Sequence, residues 1–152
     1  MRFMMFVRAD KRTEAGEMPS KELVAAMGRF NEEMVKAGVL LAGEGIQPSS
    51  KGARVTFRRG APVVSDGPFP AKELIAGFWM IQVTSKHDAV EWAKRVPFKD
   101  GEVVEVRQVF ETSDFPPKVL SPEDAAREEA MREKLRRKRT RGVDSPIRRS
   151  TH

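Results

Sequence analysis

The chain contains no cysteine, and its only histidines are His87 and His152. The absence of cysteine excludes a disulfide scaffold, a thiolate metal site and a cysteine nucleophile. Two histidines so far apart in the sequence also leave few residues for histidine-based metal binding or catalysis. We therefore predict no metal site and no cofactor.

Long apolar runs are also missing. The run near the start, Phe3 to Val7, is too short for a membrane span or for the core of a secretory signal. The composition, 39% hydrophobic and 33% charged over 152 residues, suits one globular domain rather than a disordered chain. The sequence predicts a soluble, cytoplasmic protein with no membrane partner.

The positive charge is concentrated at the C-terminal end. Residues 118–152 contain 11 Lys and Arg against 6 Asp and Glu, so they carry +5 of the net charge of +6. We predict a nearly neutral domain over residues 1–117 and a basic tail over residues 118–152. Any affinity for polyanions is expected in the tail.

Two segments are apolar on both faces of a strand, residues 2–8 and residues 76–83, which is typical of central strands. Helices are predicted to begin at Ser20, with an apolar stripe at helical spacing, and at Ser85, which opens a capping box. The order strand, helix, strand, hairpin, strand, helix, strand predicts an α+β ferredoxin-like plait with an added β-hairpin.

The remaining strands are shorter or mixed. Residues 39–42 lead into Gly43-Glu44-Gly45, where the glycines indicate tight or left-handed backbone. Residues 54–58 and 63–64 form the hairpin, residues 65–70 a fixed loop with two prolines, and residues 103–110 the last strand. Helices cover only one face of this sheet, so we predict that a second copy covers the other face, as in dimeric α/β-barrel proteins.

Two groups of residues are candidates for chemistry. Glu105 and Arg107 share a strand face, where they either pair with each other or lie at an exposed strand end, or else form an anion site. Asp66 precedes Gly-Pro, where a carboxylate either holds the turn or, if buried beside a hydrophobic ring, acts as a general base. Lys72 is placed to bind an anionic substrate.

Several motifs in order resemble one family: Ala37 to Gly45, Ser65 to Phe69, Lys72-Glu73, Gly77-Phe78, Asp88-Ala89, Trp92-Ala93 and Glu105 to Arg107. They resemble the YCII-related family, in its DGPF branch, over about residues 1–115. This resemblance implies a ferredoxin-like plait that dimerises through its sheets and has a pocket near the dimer interface. Some relatives resemble dehydrochlorinases of hydroxylated aromatic rings, and others accompany sigma factors of the extracytoplasmic type.

The resemblance carries Asp66 over as the catalytic residue. The candidate substrate-binding residues are Gly67, Pro68, Phe69, Lys72, Glu73, Glu44, Glu105 and Arg107. The histidine that several members pair with an aspartate is missing, because His87 falls in a capping turn and is predicted to be exposed. Pro70 replaces the acidic residue that usually follows the Asp-Gly-Pro-Phe motif.

In the tail, Ser121-Pro122 predicts a helix start, and acidic and basic residues follow at i, i+4 spacing. We predict a solvated helix that frays beyond Arg139, with residues 142–152 disordered and weak, non-specific polyanion binding.

The leading hypothesis for the whole chain is a homodimer that binds a small anionic or aromatic molecule, with a lyase-type proton abstraction by Asp66. The alternative is a non-catalytic regulatory module linked to transcription.

Overall fold

The computed structural model describes residues 1–143 of the chain. In chain order the elements are β1 (Arg2–Arg8), α1 (Lys11–Glu14), α2 (Lys21–Lys36), β2 (Leu40–Gly45), β3 (Ala53–Arg58), β4 (Ala61–Asp66), β5 (Ile75–Gln82), α3 (Lys86–Lys94), β6 (Val104–Gln108) and α4 (Pro122–Val143). Short 3₁₀ turns occupy Ser49–Lys51, Ala71–Glu73 and Thr112–Asp114. The chain divides into one compact unit, Met1–Val109, and a second that begins at Phe110.

The first unit is built on an antiparallel four-stranded sheet in the order β2-β5-β1-β6. The two central strands, β5 and β1, are the two that the sequence predicts to be apolar on both faces. The architecture is therefore α+β with an antiparallel sheet, and it is compatible with the ferredoxin-like plait.

The core lies between this sheet and the helices α2 and α3. Its largest fully buried side chains are Phe3, Met5, Met34 and Ile81. Helix α2 begins at its predicted cap, where the Ser20 hydroxyl accepts a hydrogen bond from the backbone of the helix. Burying an apolar side chain of this size contributes about 1.5–3 kcal/mol, so these residues hold the helices on one face of the sheet.

The other face, which we call the open face, has an apolar centre. Strand pairing places Glu44, Phe78, Phe6 and Glu105 in one row across the four strands. The neighbouring row contains Ala42, Met80, Met4 and Arg107. The phenylalanines and methionines are partly exposed. Charged residues, Glu44 on one edge and Glu105 with Arg107 on the other, therefore flank a central apolar area.

Strands β3 and β4 form a separate two-stranded sheet. The turn between them is Arg59-Gly60, with φ of 50° and 79°, the positive values that a tight hairpin turn requires. Every residue of the two strands is exposed to solvent. This hairpin thus extends from the unit with neither face buried by the described residues.

Some predicted boundaries are wrong. Gly43 and Gly45 are in extended β2 rather than in tight or left-handed backbone. A Cβ on Gly43 would lie 2.7 Å from Trp79, so the glycine is there for space. Ser65 and Asp66 belong to β4 rather than to the following loop. Strand β6 ends at Gln108, which leaves Phe110 outside it.

The second unit contains α4, and the predicted pairs Glu123/Arg127, Glu128/Arg132 and Glu133/Arg137 are present, at 2.7, 3.2 and 3.2 Å. The prediction that the helix frays beyond Arg139 is wrong, because α4 continues to Val143. The rest of the predicted disordered segment, residues 144–152, lies outside the described residues. Within residues 1–143, no helix has the length and apolar character needed to span a membrane.

Candidate functional site

The loop after β4 is held by close backbone packing. The Gly67 N–H donates to the Gly52 carbonyl at 3.0 Å, and the peptide bond between Gly67 and Pro68 is cis. A Cβ on Gly67 would lie 1.8 Å from the Ser49 carbonyl oxygen, so only glycine fits there. Further along the loop, the Phe69 N–H donates to the Ser49 hydroxyl oxygen at 2.9 Å.

Glu14 holds Ser49 in this position. Its carboxylate accepts a hydrogen bond from the Ser49 N–H at 3.0 Å and another from the Ser49 hydroxyl. Both residues are partly buried, so each hydrogen bond contributes more than it would in water. Sequence reasoning missed Glu14 and Ser49, because nothing local marks an acid 35 positions before its partner.

Two further predicted residues, Phe69 and Glu73, are joined by an arginine that the sequence did not single out. The Arg54 guanidinium lies 4.0 Å from the centre of the Phe69 ring and 3.2 Å from the Glu73 carboxylate. Arg54 belongs to β3, so these contacts fix the base of the hairpin to the loop. The ion pair is about half exposed, so its own contribution to stability is small.

Arg8 likewise joins two predicted residues, Lys72 and Glu105. Its guanidinium donates to the Lys72 backbone carbonyl at 2.7 Å and lies 3.4 Å from Glu105. Arg107 lies 3.5 Å from the second oxygen of the same carboxylate. Glu105 therefore pairs with Arg107, which is the structural alternative considered for these residues. Two arginines around one carboxylate leave a single positive charge at this edge of the sheet.

Asp66 is the last residue of β4, and its side chain is exposed. The general-base hypothesis requires burial beside a hydrophobic ring, and the single chain does not supply that burial. His87 is exposed, as predicted, and lies in α3. Among residues 1–143 there is no group of three or more His, Cys, Asp or Glu side chains arranged to hold a metal ion.

A cavity of about 560 Å³ lies elsewhere, at the end of the sheet where β1 and β2 finish and β5 begins. We call it the end cavity. Its apolar wall is formed by Leu23, Met27, Trp79 and Phe98. Its polar wall is formed by Asp10, Arg12, Glu17, Asn31, Gln47 and Glu102. Of the predicted site residues, only Glu44 borders it.

Acidic groups outnumber basic ones around the end cavity. Asp10, Glu17 and Glu102 contribute carboxylates, and Arg12 contributes a guanidinium. The Thr13 backbone N–H donates to the Asp10 carboxylate at 2.8 Å and lowers the pKa of that group. The Glu102 carboxylate accepts a hydrogen bond from the Lys99 N–H at 2.7 Å. The resulting negative field favours a neutral or cationic polar group over an anionic one.

Asn31 is the residue best placed to orient a ligand in the end cavity. Its side-chain oxygen accepts a hydrogen bond from the Trp79 indole N–H at 2.8 Å. That bond fixes the amide, and its NH₂ group meets no acceptor among the described residues. Nothing in the sequence distinguishes Asn31 from the other polar residues of α2, because its partner Trp79 lies 48 positions away.

The comparison with known families agrees with the resemblance seen in the motifs. The YCII-related domain matches residues 1–113, which is most of the chain and includes both the Asp66 loop and the end cavity. No curated protein sequence matches the chain.

Proposed function

We propose that this chain, which belongs to the YCII-related family, binds a small molecule in the end cavity. The observation that carries the proposal is the cavity itself, whose volume of about 560 Å³ is in the range of small-molecule sites. Its wall combines aromatic and aliphatic side chains with a few polar groups, as such sites usually do. This composition suits a ligand with a ring or other apolar body and a hydrogen-bonding polar group.

The charge around the cavity narrows the ligand class. The carboxylates of Asp10, Glu17 and Glu102 outnumber the one guanidinium, of Arg12, so an anionic ligand would meet repulsion there. Of the anionic and aromatic ligands that the sequence suggests, we therefore favour an aromatic one. The Asn31 NH₂ group would donate to an acceptor on such a ligand, and Trp79 would pack against its ring.

We further propose that the protein is a homodimer in which two open faces meet. Phe6, Phe78, Met4 and Met80 form a partly exposed apolar area at the centre of each open face. Packing two such areas together would remove this apolar surface from water. A two-fold axis would bury the same surface on both copies.

A catalytic role for Asp66 is the finer part of the proposal. In an elimination, Asp66 would take a proton from a substrate carbon. The electron pair of the C–H bond would form the double bond, and the leaving group would depart from the neighbouring carbon as an anion. Asp66 does not border the end cavity of its own chain. Catalysis by Asp66 therefore requires that another molecule cover its carboxylate.

The regulatory alternative rests on the second unit. Lys134 and the run Arg136–Arg139 are exposed on the continuous helix α4. Such a row of cations attracts polyanions in a salt-dependent way. The described part of the helix has no aromatic side chain among these cations, so sequence-specific recognition has no stacking platform.

Tryptophan fluorescence offers a direct test of ligand binding, because the chain contains only two tryptophans. Trp79 borders the end cavity, whereas Trp92 does not. The variant Trp92→Phe therefore makes Trp79 the only reporter. In a thermal-shift screen of aromatic metabolites, a ligand at about 100 times its Kd would stabilise the native state by about 2.7 kcal/mol. The same ligand should change Trp79 emission.

A matched pair of variants on α2 locates the binding. Met27→Trp adds a large ring at the cavity wall and should abolish both signals. Val24→Trp adds the same ring to an exposed position of the same helix, away from the cavity, and should leave binding unchanged. Equal binding by the two variants would contradict the proposed site.

A further inference from the structure

We propose that one face of the β3–β4 hairpin packs against a second copy of the chain and thereby encloses Asp66. The inference rests on the homodimer of the proposed function, and it adds the hairpin as part of the interface. It also explains how a carboxylate that is exposed in one chain comes to lie in a site.

Strand pairing gives the hairpin two different faces. On one face Val55 pairs with Val64, Phe57 pairs with Pro62, and Asp66 pairs with Ala53. We call this the apolar face. The opposite face contains Arg54, Thr56 and Arg58, together with Val63 and Ser65. The only carboxylate of the hairpin is thus on its apolar face, at the base.

The apolar face is fully presented to solvent in the single chain. Phe57 is 76% exposed, Val64 is 65% exposed and Val55 is 53% exposed. A two-stranded hairpin is at best marginally stable in water without a partner surface. Contiguous exposed apolar side chains of this kind mark an interaction surface.

The base of the hairpin is anchored from the other side. Arg54, on the opposite face, contacts the Phe69 ring and the Glu73 carboxylate. This anchoring turns the Arg54 face toward the loop of the same chain and leaves the apolar face pointing away from it. The loop that holds the hairpin therefore does not cover the apolar face, and another surface must do so.

A second copy offers a complementary surface. One edge of the open face carries the carboxylate of Glu44 beside the apolar centre, whereas Glu105 at the opposite edge is already paired with Arg8 and Arg107. The hairpin tip carries Arg58 and Arg59, and neither they nor Glu44 form an ion pair with another described residue. In one chain the hairpin's apolar face remains exposed, so it does not pack on that chain's own open face. In a two-fold dimer each hairpin can reach the other copy, and both sets of surfaces are buried at once.

Enclosure changes the environment of Asp66. Because Asp66 lies on the same face as Val64, a copy that covers Val64 also removes water from the Asp66 carboxylate. A desolvated carboxylate has the character that a general base or a ligand contact requires. The Asp66 site is therefore complete only in the dimer.

The absence of cysteine allows a direct test with single thiols in the full-length chain. Val64→Cys places a thiol on the apolar face, and Val63→Cys places one on the opposite face of the same strand. Both positions are exposed in one chain, at 65% and 44%. The rate of labelling by a charged maleimide is measured for each variant above and below the dimer dissociation constant, which sedimentation equilibrium supplies.

We expect dimerisation to slow labelling of Cys at position 64 by about tenfold or more, because thiol reactivity follows accessibility. Labelling at position 63 should stay unchanged. If dimerisation changes the labelling rate at positions 63 and 64 by the same factor in a chain that sediments as a dimer, the inference is overturned. The proposed homodimer is then unaffected. A wild-type chain that sediments as a monomer at every concentration would overturn the proposed homodimer, and the inference with it.

Discussion

Gly67 and Ser49 meet at the point where the chain leaves β4 and enters the loop that carries the candidate site. The Gly67 Cα is so close to the Ser49 carbonyl that no side chain fits between them. Ser49 in turn accepts a hydrogen bond from Phe69 and is held by Glu14. One glycine therefore controls whether the loop keeps its contact with the segment before β3.

Gly67→Ala should destabilise the fold by about 1–3 kcal/mol, because the added methyl group would overlap with backbone rather than with a flexible side chain. Gly45→Ala is the matched control, since nothing lies within 4 Å of its Cβ position. We expect that control to change stability by no more than about 0.5 kcal/mol. Urea denaturation measures both changes, and similar values for the two variants would show that the loop adjusts freely.

Asp66 tests catalysis separately from folding. The side chain is exposed, so Asp66→Asn should change the free energy of unfolding by less than about 1 kcal/mol. The amide cannot accept a proton as a carboxylate does, so turnover of a substrate bound at the Asp66 site should be lost. Ligand binding in the end cavity, which Asp66 does not border, should persist. If the Asp66→Asn variant turned over the same substrate at the wild-type rate, Asp66 would have no part in the mechanism.

At the scale of elements, the sequence predicts those whose pattern is local. The strands β1 and β5 and the helix α2 are marked by their own apolar spacing and by the Ser20 cap, and the structure confirms them. The glycines of β2 are different. Gly43 makes room for Trp79, and a Cβ on Gly77 of the neighbouring strand would lie 2.9 Å from the Glu44 carbonyl. A glycine chosen for space looks the same in sequence as one chosen for a turn.

Only the part of the candidate site that has a local sequence pattern is predictable from the sequence. The loop from Asp66 to Glu73 is a local motif, and the pairing of Glu105 with Arg107 follows from strand alternation. Arg8 and Arg54 complete both clusters from distant strands, at separations of 97 and 19 positions. The end cavity has no local signal at all, because it forms where the ends of three strands meet α2.

At the scale of the whole molecule, the two units differ in how they are stabilised. Among the residues that the structure describes, every buried core residue lies between Phe3 and Val96, within the first unit. In the second unit α4 has ion pairs along its own surface, which contribute only about 0.3–0.5 kcal/mol each. It also contacts the preceding segment of that unit through the pairs Thr112/Glu129 and Glu111/Arg132. The first unit thus contains the buried apolar core that independent folding requires.

A chain that ends at Val109 should therefore unfold cooperatively and keep the oligomeric state of the full-length protein. It should also lose most of the full-length chain's retention on heparin, because the basic run Arg136–Arg139 is removed and binding to polyanions there is electrostatic.

A full-length control with Arg136, Arg137, Lys138 and Arg139 changed to Gln should lose the same retention while α4 remains in place. Thermal unfolding and salt elution from heparin measure the two effects separately. Loss of cooperative unfolding in the shortened chain would show that the first unit depends on the second. Strong retention by the shortened chain would place the polyanion site on the first unit, where the exposed Arg58 and Arg59 would be the cations to examine.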